Sequence, residues 1–206
     1  NGVPRLACRV YPADGDTVTL PESAGGAILT RTLPLPACQP GRTGCTAAVD
    51  LGTTTVVARL YDLASGAELA IESGWNTQAP YGADVISRIQ YTLEQPDGLQ
   101  ELSQRSREQV WALIERALVR CGRDADTLRE ITLVGNTVMQ HLFAGYSVRG
   151  IAAAPFRPET LFAAPGDETL HGVPVHFAPC VAGYVGGDIT AGLLAAGLAE
   201  LPGEHL

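Results

Sequence analysis

The stretch Ala47-Ala48-Val49-Asp50-Leu51-Gly52-Thr53-Thr54-Thr55-Val56-Val57-Ala58-Arg59-Leu60-Tyr61-Asp62 constrains this chain more than any other. A short apolar strand delivers one carboxylate, Asp50. Gly52 lets the backbone turn tightly, three consecutive hydroxyls follow, and a second β-rich run leads away. Such a hairpin tip suits phosphate. Small residues let backbone N–H groups approach an anion, threonines donate hydrogen bonds, and an aspartate can reach a magnesium ion or its water shell. The competing reading is an ordinary Gly-Thr hairpin with an incidental aspartate.

The composition removes several classes of chemistry. All fourteen basic residues are arginine, so there is no lysine for a P-loop, a Schiff base or a Ser-x-x-Lys site. Any nucleotide chemistry must use carboxylates, hydroxyls and backbone amides. A formal net charge of −8 with no basic stripe argues against nucleic acid and anionic membrane partners. No apolar run reaches membrane-spanning length. The five cysteines, Cys8, Cys38, Cys45, Cys121 and Cys180, contain no C-x-x-C pair, which favours a reducing, cytoplasmic setting. The only methionine is Met139 and the chain begins at Asn1, as an excised piece of a longer protein would.

Residues 1 to about 45 are rich in proline and glycine, and 23–45 reads as a linker. From Thr46 onward the pattern becomes regular. Ala47–Leu51, Thr55–Asp62 and Ala67–Glu72 are expected strands. A helix is expected from about Ala83, burying Val85, Ile86, Ile89 and Leu93. A longer one runs from about Leu99 to Cys121, with Leu102, Val110, Leu113, Ala117 and Cys121 on one stripe and Gly122 as its stop. Ile131–Val134 is a strand, followed by a short helix capped by Asn136, carrying Val138, Met139, Leu142 and Phe143, and ended by Gly145. Val173–Ala178 is the last strand, and Asp188 to Leu201 the last helix. This β-β-β-α-α-β-α-β-α order implies an α/β fold, a mixed sheet flanked by helices.

The opening stretch resembles the first phosphate motif of the sugar-kinase, heat-shock-chaperone and actin superfamily, and the element order resembles its ribonuclease-H-like half-domain. Three further blocks narrow the resemblance. Tyr81-Gly82-Ala83-Asp84-Val85-Ile86-Ser87-Arg88-Ile89, Leu133-Val134-Gly135-Asn136-Thr137-Val138-Met139-Gln140-His141-Leu142 and Gly183-Tyr184-Val185-Gly186-Gly187-Asp188-Ile189-Thr190-Ala191-Gly192 are similar to blocks of the reductive activators of corrinoid proteins. Those are ferredoxin-linked ATPases, and the likeness covers about 47–201. Arg5-Leu6-Ala7-Cys8, with Gly15 to Pro21, is similar to the end of a 2Fe-2S ferredoxin domain. The resemblance implies that 1–22 is the tail of that domain and 46–206 the first lobe of an actin-like ATPase. Cys8 would then ligate a 2Fe-2S cluster in the longer parent; the alternative is a free thiol. The other four cysteines read as structural.

By the same resemblance, Asp50 organises magnesium, and Gly52, Thr53, Thr54 and Thr55 contact the terminal phosphates of ATP. Gly186 and Gly187 also face the cofactor. Asp188 has two compatible readings, an N-cap of the last helix or a cleft residue that orients water or touches metal. Asn136 is either a helix cap or a cleft residue at a strand end. Asp84 and Arg88 have the spacing of a solvated intrahelical ion pair. His141 reads as a packing residue, and His171, His176 and His205 show no ligand spacing.

The implied function is ATP-coupled transfer of an electron from a 2Fe-2S cluster to the Co(II) of a corrinoid protein. The partners would be that protein and a low-potential electron donor, and a homodimer is compatible with this. One lobe alone should bind ATP weakly or not at all and be inactive. Two rivals remain: a small-molecule kinase of the same superfamily, and a non-catalytic partner-docking module.

Overall fold

A computed structural model describes residues 42–198. The expectations for residues 1–22, for most of the 23–45 linker, for Cys8, Cys38 and His205, and for a helix reaching Leu201 lie outside those residues. The described elements are β1 (Cys45–Leu51), β2 (Thr55–Asp62), β3 (Glu68–Trp75), α1 (Val85–Glu94), α2 (Gly98–Cys121), β4 (Leu128–Gly135), α3 (Thr137–Ala144), β5 (Thr169–Leu170), β6 (Val173–Phe177) and α4 (Gly187–Ala195). The sheet order is β3-β2-β1-β4-β6-β5. β1, β2 and β3 form an antiparallel meander, while β1, β4 and β6 run parallel. This is the mixed, ribonuclease-H-like sheet that the element order implies. The two-residue β5, paired antiparallel with β6, is the one strand without a sequence signal.

Strand alternation sets the two faces. In β1, Cys45, Ala47, Val49 and Leu51 are buried while Thr46, Ala48 and Asp50 point the other way. In β4, Leu128, Ile131 and Leu133 are buried beside them in parallel register, with Ala47 opposite Ile131 and Val49 opposite Leu133. The chain steps from β1 to β4 to β6 in one direction along the sheet. Right-handed crossovers therefore put the intervening helices α1, α2 and α3 on the same face. There Leu102, Val110, Leu113, Ile114 and Ala117 of α2 and Val138, Met139, Leu142 and Phe143 of α3 complete one core.

The α1 expectation is corrected in two ways. The helix starts at Val85, because Asp84 takes an extended conformation and forms a capping box with Ser87. Its buried stripe contains Arg88 and Ile89, whereas Ile86 and Leu93 are 55% and 39% exposed. Periodicity allows either rotation of the helix about its axis. Arg88 decides between them, because its guanidinium finds four partners inside the fold.

The start of α4 is also corrected. Gly186 is the N-cap and Gly187 the first helical residue, so Asp188 lies in the first turn and is not the cap. The reason is contact distance. A Cβ on Gly186 would lie 2.4 Å from the Asn136 Cα, and one on Gly187 would lie 2.7 Å from the Ala178 carbonyl oxygen. Only glycines let α4 begin so close to α3 and to the end of β6.

Gly186→Ala is expected to destabilise the fold by about 1–3 kcal/mol, the range for forcing an extra methyl into close packing. Urea denaturation at constant m-value measures this. A loss below about 0.5 kcal/mol would show that the contact between α3 and α4 is looser than described.

Candidate functional site

The tip between β1 and β2 is Gly52-Thr53-Thr54, and its three carbonyls are all held from beneath. The Asn76 side chain donates Nδ2–H to the Gly52 carbonyl at 2.7 Å, and its backbone N–H donates to the Thr54 carbonyl at 2.8 Å. Arg88 donates to the Thr53 carbonyl at 2.6 Å. Asn76 and Arg88 are both buried. In a trans peptide the N–H points opposite to the preceding C=O. Fixing these carbonyls toward the core therefore sets the N–H groups of Thr53, Thr54 and Thr55 on the side away from it. A Cβ on Gly52 would lie 2.5 Å from the Thr55 carbonyl oxygen, so the tightness of this turn requires glycine. The outcome is a short row of oriented amides beside three threonines, Thr54 exposed and Thr53 and Thr55 half-buried, a backbone arrangement of the kind that receives anions.

Asn136 combines the two roles that the sequence left open. Its Oδ1 accepts from the Met139 N–H at 3.0 Å and caps α3, while its Nδ2 donates to the Thr53 hydroxyl at 3.1 Å. One amide thus ties a helix start to the hairpin tip. Gly186, packed on Asn136, brings α4 to the same place.

Asp50 is the last outward-facing residue of β1. It is exposed, at the edge of a recess of about 180 Å³ lined also by Ala48, Val57, Arg59 and Val134. No donor among the described residues bonds its carboxylate. Surrounding protein desolvates it and raises its pKa above the ordinary aspartate range, and the charge of Asp188 raises it further. The Asp188 charge thus acts on Asp50 at the C-terminal ends of the parallel strands, where open α/β sheets bind ligands. Asp188 accepts only the Ile189 N–H, at 2.9 Å. Among the described residues no cluster of three or more metal-ligating side chains occurs. A magnesium ion needs no such cluster, because one or two carboxylates plus phosphate oxygens and water suffice. Asp50, which no donor bonds, and the exposed Asp188, which accepts only its neighbour's N–H, fit that donor set.

Of the residues expected at the site, Asp50, Gly52, Thr53, Asn136 and Gly186 thus meet around one tip, with Asp188 near enough to act on Asp50. Thr54 is exposed at the tip and Thr55 opens β2. Gly187 is buried against Gln140 and Ala178, so its demonstrable role is packing. Asn76, Gln78 and Arg88 were not expected there. Arg88 is wholly buried and makes no ion pair with Asp84, so the solvated-pair expectation is wrong. A polar residue on the apolar side of a helix wheel was the signal available. A hollow of about 510 Å³ along α2 beside Leu170 and His171 lies away from the tip.

His141 is a packing residue, as expected. It is buried, with Nδ1 2.7 Å from the Thr137 carbonyl and Nε2 accepting from the Thr160 N–H at 3.4 Å. That pattern fixes the neutral Nδ1–H tautomer. Cys45 and Cys180 are buried free thiols and Cys121 is a half-buried one. No helix among the described residues is long and apolar enough to cross a membrane.

Residues 45–201 match the family described as the RACo middle region. The chain is 35% identical over 153 residues to the corrinoid activation enzyme RamQ of Eubacterium limosum, covering 71% of this chain and 26% of that protein. Among solved structures it is similar to a reductive activator for corrinoid, iron-sulfur protein, with a TM-score of 0.74 and 38% identity over 80% of this chain and 27% of that one. The chain spans about a quarter of the length of these relatives.

Two outcomes follow from the charges. Asp50→Asn removes a desolvated, repelled carboxylate, so it is expected to raise stability at neutral pH by up to about 0.5 kcal/mol, a gain limited by solvent screening. Chemical denaturation checks this, and a clear loss of stability would mean that Asp50 has a structural partner. Burial lowers the His141 pKa below its ordinary 6.5, so the folded state favours the neutral ring. Stability is then full above about pH 6.5 and is lost as the pH falls below it, because the unfolded chain binds the proton first. His141→Gln is expected to flatten this part of the pH–stability profile.

Proposed function

The chain belongs to the RACo middle region family, and from that premise we propose that it carries the first phosphate site of an ATP-dependent reductive activator of corrinoid proteins. The observation that carries this reading is the hairpin tip whose carbonyls are locked inward, set beside the unbonded Asp50 and its neighbour Asp188. The names of the two relatives, which concern corrinoid activation, support the substrate class.

In this reading the outward amides of Thr53, Thr54 and Thr55, with the threonine hydroxyls, bind the terminal phosphates of ATP. Asn136 keeps the Thr53 side chain in place. Asp50 and Asp188 hold magnesium, directly or through its water, and Asp188 is also suited to orient the attacking water. Magnesium would supply charge neutralisation between these carboxylates and the phosphates. Gly186 and Gly187 contribute by letting α4 approach, which brings Asp188 to the tip.

The chemistry served is delivery of one electron to the Co(II) of a corrinoid protein, giving Co(I). ATP can drive it only by binding one conformation of the activator better than another. The family match over 45–201 supports a domain beginning near residue 46, which in this reading is one lobe of the ATPase domain over 46–206, with a linker over 23–45 and a ferredoxin tail over 1–22 before it. Cys8 would then be a 2Fe-2S ligand, with a low-potential donor feeding that cluster and a corrinoid protein receiving the electron. With part of the nucleotide cleft on another lobe, this chain alone should bind ATP weakly or not at all.

The test is Mg·ATP-dependent reduction of a Co(II) corrinoid protein by the full-length activator, followed by the cobalt absorption spectrum. Asp50→Ala is expected to slow it by about a hundredfold or more, the scale for removing a group that stabilises charge in a transition state. Thermal stability should be retained. An unchanged rate would remove the phosphate-site assignment.

A further inference from the structure

Arg88 is the one fully buried arginine among the described residues, and its surroundings are unlike those of most of the others. Arg42, Arg59, Arg105, Arg107, Arg120 and Arg123 each meet a carboxylate. Arg88 hydrogen-bonds only uncharged acceptors, and Asp84 acts on it electrostatically without pairing with it. Its Nε–H donates to the Gly82 carbonyl at 3.0 Å, one terminal nitrogen to Gln78 Oε1 and Met139 Sδ at 3.1 Å each, and the other to the Thr53 carbonyl at 2.6 Å. A desolvated cation without a counter-ion is costly, and folds rarely keep one unless something else compensates its charge. The shortest of these bonds runs to the hairpin tip, whose opposite side offers amides to an anion.

We propose that Arg88 is a positioning residue for nucleotide: it holds the Thr53 carbonyl inward, turns the Thr54 amide outward, and lends the tip a positive potential that favours a terminal phosphate. The inference rests on the nucleotide reading above and adds to it the source of positive charge in a chain without lysine. A cation behind a low-dielectric loop acts on a phosphate more strongly than one in water would. Burial lowers the Arg88 pKa to about 10 and Asp84 partly offsets this, so the guanidinium stays protonated at neutral pH. Gln78 fixes its orientation. The Gln78 Nε2–H donates to the Leu102 carbonyl at 2.8 Å, which leaves Oε1 free to face Arg88.

Two variants of the full-length protein separate charge from scaffold. Arg88→Lys keeps the charge and loses the fork; Arg88→Gln keeps an amide donor and loses the charge. Dissociation constants for Mg·ATP and Mg·ADP are measured by calorimetry, alongside melting temperatures. Both variants should melt earlier. Arg88→Gln should lose about tenfold in the ATP-over-ADP preference, while Arg88→Lys should keep that preference within about threefold. A purely structural role would weaken both nucleotides equally, so an unchanged ratio in Arg88→Gln, or an equal fall in both variants, overturns the proposal. Should the variants not fold, the Arg88 Nε–H signal of the unaltered protein decides by NMR. It should move on adding Mg·ATP and not on adding adenosine, and an unmoved signal overturns the proposal. If the unaltered protein binds no Mg·ATP, the nucleotide reading itself is overturned, and this inference with it.

Discussion

The hairpin tip after β1 depends on three hydrogen bonds that reach its carbonyls from the protein interior. Backbone carbonyls left facing a phosphate would repel it, and a loop of small residues has no intrinsic preference for which way its peptide planes turn. Asn76 and Arg88 supply that preference at Gly52, Thr53 and Thr54. Both come from the segment that leaves β3 and enters α1, so the tip is shaped only once the meander and the first helix have docked. The same bonds fix the rotation of α1, since the guanidinium must face inward to reach the tip.

Close approach by small residues is the second organising element. Asn136 joins the start of α3 to Thr53, and Gly186 lets the start of α4 press against Asn136. Three chain segments that are far apart in sequence therefore converge at the C-terminal ends of β1, β4 and β6. Asp50 stands there without a bonded partner among the described residues, desolvated by the surrounding protein and acted on by the charge of Asp188. Holding that carboxylate is a cost to the folded chain, of the kind that functional sites retain. The same trade appears beneath the loop, where Arg88 is buried with no carboxylate in contact and only the charge of Asp84 acting on it from its own helix start. Two carboxylates without a cationic partner among the described residues and one guanidinium without an ion pair flank the tip, which is the charge arrangement that a magnesium-bound phosphate would complete.

Much of the framework was legible before any coordinates. The strands of the meander, the long helix with its Gly122 stop, and the short α3 with its Asn136 cap all carry local signals. Those signals come from alternation, 3.6-residue periodicity and capping chemistry, which short stretches of chain decide for themselves. The residues of α1 were misjudged for the opposite reason. Ile86 and Leu93 fit an apolar stripe as well as Arg88 does not, yet the tertiary acceptors for Arg88 outweigh the gain from burying two aliphatic side chains. The start of α4 was displaced by one residue because the contact of Gly186 with Asn136 spans fifty positions of sequence.

By itself the sequence determined the element order, the mixed sheet, the tight glycine turn after Asp50 and, through its blocks, the family. It could do so because each rests on neighbouring residues or on motifs read in order. Which way the peptide planes of that turn face, that the charge of Asp188 acts on Asp50, and that a buried Arg88 stands behind Thr53 were decided only by the tertiary structure. Those facts follow from packing between distant segments and from the low dielectric it creates, and neither quantity exists until the chain has folded.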